Sequence, residues 1–180
     1  MQPKDDERTA ASGGDRRLAC PFSAHRRGRL CPTGHPVHQM LVVFPLGLLA
    51  TSFAFDIAWM VSGNPTFGIV SFWMVTAGVI FAVPTAAFGL IDWLGIPRGT
   101  RAKAIGMQHG IGNLIVTALF VSWMLRYSTG GPSTTAMAVS ALAVVIALFT
   151  AWMGAELVGR LSVGVDEDAQ VDAPSSLKVR

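Results

Sequence analysis

The sequence predicts an all-α integral membrane protein: an up-down four-helix bundle between disordered polar tails. Two observations carry that prediction. Four long, mostly apolar runs follow one another through the chain, and a run of about twenty apolar residues is enough to span a bilayer. Charged residues make up only 14% of the 180 residues, against about a quarter in a soluble domain, and they gather in the tails and one mid-chain loop. The mean hydropathy is correspondingly high, +0.48.

Residues 1–34 are polar, rich in Arg, Gly and Pro, and without apolar periodicity, so they are expected to be disordered. They lack the apolar core of a secretory signal peptide. Seven basic residues face four acidic ones there, which beside a membrane reads as a topology signal or lipid contact rather than a nucleic-acid site. Met40 offers an alternative start that would remove this tail and the histidines after it. Both cysteines, Cys20 and Cys31, lie in the tail. With His25 and His35 they match no zinc-ligand spacing, so no metal site is assigned.

The membrane domain is expected over residues 35–162, with spans near 37–61, 67–94, 107–125 and 135–158. Pro36 suits a first helical turn, whereas Pro45 lies deeper and should bend span one. Gly63-Asn64-Pro65 is a turn. In span two, Ser71, Gly78, Thr85 and Asp92 recur every seven residues, with Val75, Ala82 and Gly89 between them. Such a seam of small residues lets membrane helices pack closely. No clear repeat relates the two halves. Residues 95–106 read as a basic loop, 126–134 as a polar loop, and 163–180 as an acidic disordered tail.

Arg26, Arg27, Arg29, Arg98, Arg101, Lys103 and Arg160 flank one side of the spans, and Arg126 the other. The Lys/Arg excess marks the cytoplasmic side, so both termini are expected in the cytoplasm.

That threading brings His35 and His38, Asp92, His109 and Glu156 to one membrane face. Ionisable groups in a span are expensive and therefore functional candidates. His38 and His109, with His35 as substitute, are the candidate cofactor ligands. A b-type haem between spans one and three would place them diagonally across the bundle, use Gly89, Gly106, Gly110 and Gly112 as room for the ring, and pair Arg101 or Lys103 with the propionates. Structural, interfacial histidines are the competing reading. Asp56 lies 18 residues after His38, about 27 Å along the axis at 1.5 Å per residue. It cannot join that cluster, but five turns on it shares the same helix face, where it would accept hydrogen bonds from a neighbouring helix or line a polar path. No nucleotide-binding glycine loop, nucleophile elbow or zinc-protease motif is present, so no catalytic residue is assigned.

HPVHQMLVVFPLGLL at residues 35–49, Asp56, AFGLIDW around Asp92, MQHGIGN around His109 and GAELVGRLSVGV at 154–165 together resemble a bacterial four-span membrane family, domain of unknown function 2231. The resemblance covers about residues 34–165. It implies an inner-membrane protein without an assigned activity. Links of some relatives to Rieske iron–sulfur domains tilt expectation toward redox, although this chain has no Rieske Cys/His pairs. Relatives carry a histidine where this chain has Ser162, which removes a third candidate ligand. The expected functions are a non-enzymatic partner or anchor subunit, a haem- or metal-binding redox subunit, or a small transporter or channel component. The expected partners are the lipid bilayer and a membrane redox protein or further copies of the chain.

Overall fold

The computed structural model describes residues 36–125, 127–128, 131–165 and 172. The tail over 1–34, with Cys20 and Cys31, and the candidate ligand His35 lie outside the described residues, as does most of the acidic tail. The order is α1 (Val37–Leu41), α2 (Val43–Ser62), α3 (Pro65–Gly95), α4 (Arg101–Leu125), β1 (Tyr127–Ser128), β2 (Gly131–Pro132) and α5 (Thr134–Gly159). Four helices are long and apolar enough to cross a membrane, with α1 and α2 together forming the first, Val37–Ser62.

Proline accounts for the break between α1 and α2. Pro45 has no N–H to offer the Leu41 carbonyl, and its ring crowds that carbonyl. The regular helix stops at Leu41 and resumes at Val43. Pro84, by contrast, lies within a continuous α3. The first connection is short because each residue has a defined task. Gly63 closes α2 in the left-handed region, φ 66°, where a residue without a Cβ is favoured. Asn64 caps α3 by accepting from the Thr66 N–H at 3.0 Å, and Pro65 fills the first helical position.

The third helix begins earlier than the loop reading of residues 95–106 implied. Thr100 Oγ1 accepts from the Lys103 N–H at 3.2 Å, so a side-chain cap starts α4 at Arg101 and Ala102–Gly106 is helical. The loop before α5 also holds more order than expected. Tyr127 pairs with Pro132 and Ser128 with Gly131 in a two-rung antiparallel ladder. The Trp59 indole lies against Gly131, where an added Cβ would sit 2.5 Å from the ring.

α2 packs on α3 and α4 on α5, forming two antiparallel hairpins. Contacts of α3 with α4 and of α2 with α5 close them into one bundle, so spans one and three face each other across a diagonal. The core joins Leu49, Val75, Val116, Phe120, Trp123, Ala136 and Ala143. The small-residue seam of α3 works as a groove: a Cβ on Gly78 would approach Leu49 Cδ2 to 2.7 Å, and Gly68, Ser71, Val75, Gly78 and Thr85 are buried along it.

Candidate functional site

At one end of the bundle the two intramembrane histidines meet. His38 comes from the short α1 and His109 from the third turn of α4. Their ring centroids lie 6.5 Å apart with the planes at 90°. His38 Nδ1 is 2.9 Å from the Thr85 carbonyl oxygen of α3, and His109 Nδ1 is 2.8 Å from the Thr150 carbonyl oxygen of α5. A carbonyl only accepts, so Nδ1 carries a proton in each ring, and a helical carbonyl has a second lone pair to receive it. Asn113 Nδ2 donates to His109 Nε2 at 3.0 Å. Thr150 Oγ1 in turn donates to Asn113 Oδ1 at 2.9 Å. This chain of bonds fixes the His109 ring between α4 and α5.

Each imidazole needs room on the opposite helix, and glycine supplies it four residues after the threonine. An added Cβ on Gly89 would stand 2.8 Å from His38 Cε1. One on Gly154 would stand 3.1 Å from His109 Cε1. The two halves of the bundle therefore repeat one device: a histidine near the start of the odd span, and Thr-x-x-x-Gly on the even span. TAAFG at 85–89 and TAWMG at 150–154 carry it. Span one runs parallel to span three, and span two to span four, so the repeat relates the hairpins about an axis along the membrane normal. The sequence of the two halves shares this threonine–glycine spacing without a clear wider repeat.

The other end of the bundle centres on Asp56, which is fully buried. Ser71 Oγ of α3 lies 2.5 Å from Asp56 Oδ1, and Ser140 Oγ of α5 lies 3.1 Å from Oδ2. The buried Trp123 side chain of α4 lies close to the carboxyl group. One carboxyl group thus bonds side chains of two other spans, α3 and α5. Ser71 belongs to its own hairpin and Ser140 to the other, so Asp56 ties the halves together.

A charged rim surrounds the histidine end. Arg101 Nη2 donates to Glu156 Oε1 at 2.7 Å, and Arg160 Nε lies 3.4 Å from Glu156 Oε2. Lys103 Nζ donates to the Trp93 carbonyl at 2.6 Å and sits 3.7 Å above the Trp93 ring centroid. Trp93 Nε1 donates to the Lys103 carbonyl at 3.0 Å, knitting α3 to the start of α4. Asp92 is half-buried near the end of α3. Gln39 Nε2 donates to the Val163 carbonyl at 3.2 Å, which holds the exit of α5 against α1. Ser162 takes a positive φ of 52° in that exit.

Three of the four glycines proposed from sequence as room for a haem lie against the chain's own side chains. The notch at Gly89 is filled by His38, that at Gly106 by the Trp93 indole, and that at Gly112 by the Thr150 methyl group. Gly110 faces outward with nothing within 4 Å of an added Cβ. Lys103, proposed for a propionate, is committed to Trp93. Among the described residues no group of three or more His, Cys, Asp or Glu side chains is placed to hold a metal ion. Sequence reasoning missed the Thr85 and Thr150 carbonyls as imidazole partners, and with them Gly154, Ser140 and Trp123. The recurring Thr-x-x-x-Gly was the available signal for the first three. Nothing in the sequence marks Ser140 or Trp123 apart from other small or aromatic residues in a span.

Four long apolar helices carrying internally paired polar groups define a polytopic membrane protein. The match of a family model over residues 34–167 makes the assignment narrower: the chain belongs to the family described as predicted membrane protein, domain of unknown function 2231. Comparison with curated proteins and with solved structures gives no match.

Proposed function

We propose that this protein is a non-enzymatic bundle that serves as a partner or anchor subunit for another membrane protein in the bacterial inner membrane, with both termini cytoplasmic. One observation carries the reading: the histidines and the carboxyl group inside the bundle are hydrogen-bonded to the chain's own side chains and backbone carbonyls. His38, His109, Asn113 and Thr150 are hydrogen-bonded at one end, and Asp56, Ser71 and Ser140 at the other. Polar groups paired in this way fix helix positions in a membrane. The glycine notches beside them are filled by the chain's own side chains. Such an interior favours rigidity over turnover, while the outer faces carry large exposed apolar residues on every span.

Mild solubilisation at native expression levels, followed by cross-linking and mass spectrometry, tests the reading. Stable recovery with another membrane protein is the expected outcome. Recovery solely as a monomer without cross-links would overturn it.

A further inference from the structure

Three residues of the charged rim, Arg101, Glu156 and Arg160, border an open cleft that the bundle itself does not use. Arg101 at the start of α4, Trp152, Ala155, Glu156 and Gly159 on the last turns of α5, and Arg160 just past its end line it. We propose that this cleft holds the phosphodiester headgroup of an anionic phospholipid, gripped by Arg101 and Arg160.

The charge arithmetic is simple. Two guanidinium groups share one carboxylate, so the cleft keeps one positive charge, and a phosphodiester carries one negative charge. Glu156 is 9% exposed and has an arginine on each oxygen, whereas the Arg101 and Arg160 side chains are 63% and 78% exposed. Each arginine spends one donor nitrogen on Glu156, and a guanidinium has five N–H donors. The carboxylate acts as an anchor that holds both guanidinium groups at the mouth, with their other donors turned to the surroundings. At this depth the surroundings are lipid headgroups, and basic clefts between membrane helices are suited to them. A zwitterionic lipid would bring an ammonium group as well, and Glu156 is already engaged on both oxygens.

The apolar half of the ligand also finds its place. Trp152 is 62% exposed at the lip, and tryptophan favours the membrane–water boundary. From it Phe149, Leu148 and Val145 run along α5 toward the membrane interior, each more than 60% exposed, and the Phe149 and Trp152 rings lie 5.9 Å apart. Ala155 and Gly159 keep the floor low. A headgroup at the arginines with acyl chains along this strip satisfies both ends of one molecule, which a free phosphate does not.

The test uses the full chain, purified in mild detergent and stripped of lipid. Phosphatidylglycerol, phosphatidylcholine, diacylglycerol or glycerol phosphate is added at matched concentration, and retention is read by native mass spectrometry beside the thermal unfolding midpoint. Phosphatidylglycerol should be retained about tenfold over phosphatidylcholine and should raise the midpoint most. Arg160→Gln should weaken retention about fivefold, the typical effect of one basic residue at an anionic surface. Arg160 is the safer variant because its exposed side chain contributes little to folding. Equal retention of the two phospholipids would reduce the cleft to ordinary lipid solvation and overturn the proposal. So would full competition by glycerol phosphate, which marks a soluble-anion site, or an Arg160→Gln variant that keeps the wild-type preference.

Discussion

The imidazoles of His38 and His109 meet edge to face across the diagonal of the bundle, with centroids 6.5 Å apart. Neither ring is held by the other. Each hangs from a backbone carbonyl of the helix beside it, His38 from Thr85 and His109 from Thr150, so the pair reports the spacing of all four spans.

Glycine substitutions should read that spacing directly. Gly89→Ala places a methyl group 2.8 Å from His38 Cε1, and overpacking of this kind costs about 1–3 kcal/mol. Gly154→Ala, at 3.1 Å from His109, should cost less. Gly47→Ala meets nothing within 4 Å and should be neutral or slightly stabilising through helix propensity. Thermal unfolding of the three variants in one detergent checks the order.

Asp56→Ala removes the acceptor that joins the hairpins. Interhelical hydrogen bonds in membranes are worth about 0.6 kcal/mol each on average and reach about 1.7, so loss of two should destabilise by about 1–3 kcal/mol. Asp56→Asn should cost less, because the amide keeps one acceptor for Ser71 or Ser140. Proton and cation flux in reconstituted vesicles should be the same for wild type and Asp56→Asn. A fall in flux with the fold intact would restore the transport reading.

Expression with haem supplied should yield protein without a Soret band, oxidised or reduced, because the notches at Gly89, Gly106 and Gly112 are already filled. A band that disappears in the His38→Ala/His109→Ala double variant would instead identify both histidines as ligands.

Threading is checked with single cysteines in a Cys20→Ser/Cys31→Ser background. Thr66→Cys, in the exposed first turn of α3, should react with a membrane-impermeant maleimide in intact cells. Arg98→Cys, in the basic connection before α4, should react only after permeabilisation.

The spans were legible because bilayer thickness imposes a length that hydropathy registers without any tertiary information. The seam from Ser71 to Thr85 was legible for a similar reason, since small residues at seven-residue spacing mark one helix face. The start of α4 was not. Arg98, Arg101 and Lys103 gave the segment a loop-like composition, and the cap at Thr100 outweighed it. The partners of the histidines were hidden more deeply. Backbone carbonyls accept the Nδ1 protons of His38 and His109, and a carbonyl has no side-chain identity to read. Only the spacing of each threonine from the glycine that clears space for a ring leaves a trace in sequence.

The doubled threonine–glycine device has an architectural consequence. Because the hairpins are related by an axis along the membrane normal, neither is upside down with respect to the other. A lone hairpin bearing one histidine, one threonine carbonyl and one glycine notch would regenerate the imidazole pair by associating with its own copy, without dual insertion. Asn113, which bonds His109 alone, and Asp56 depart from that equivalence, the latter a single carboxyl group bonded to Ser71 on one side and Ser140 on the other. The bundle thus joins two hairpins that share the imidazole device at one end and are tied by one carboxyl group at the other.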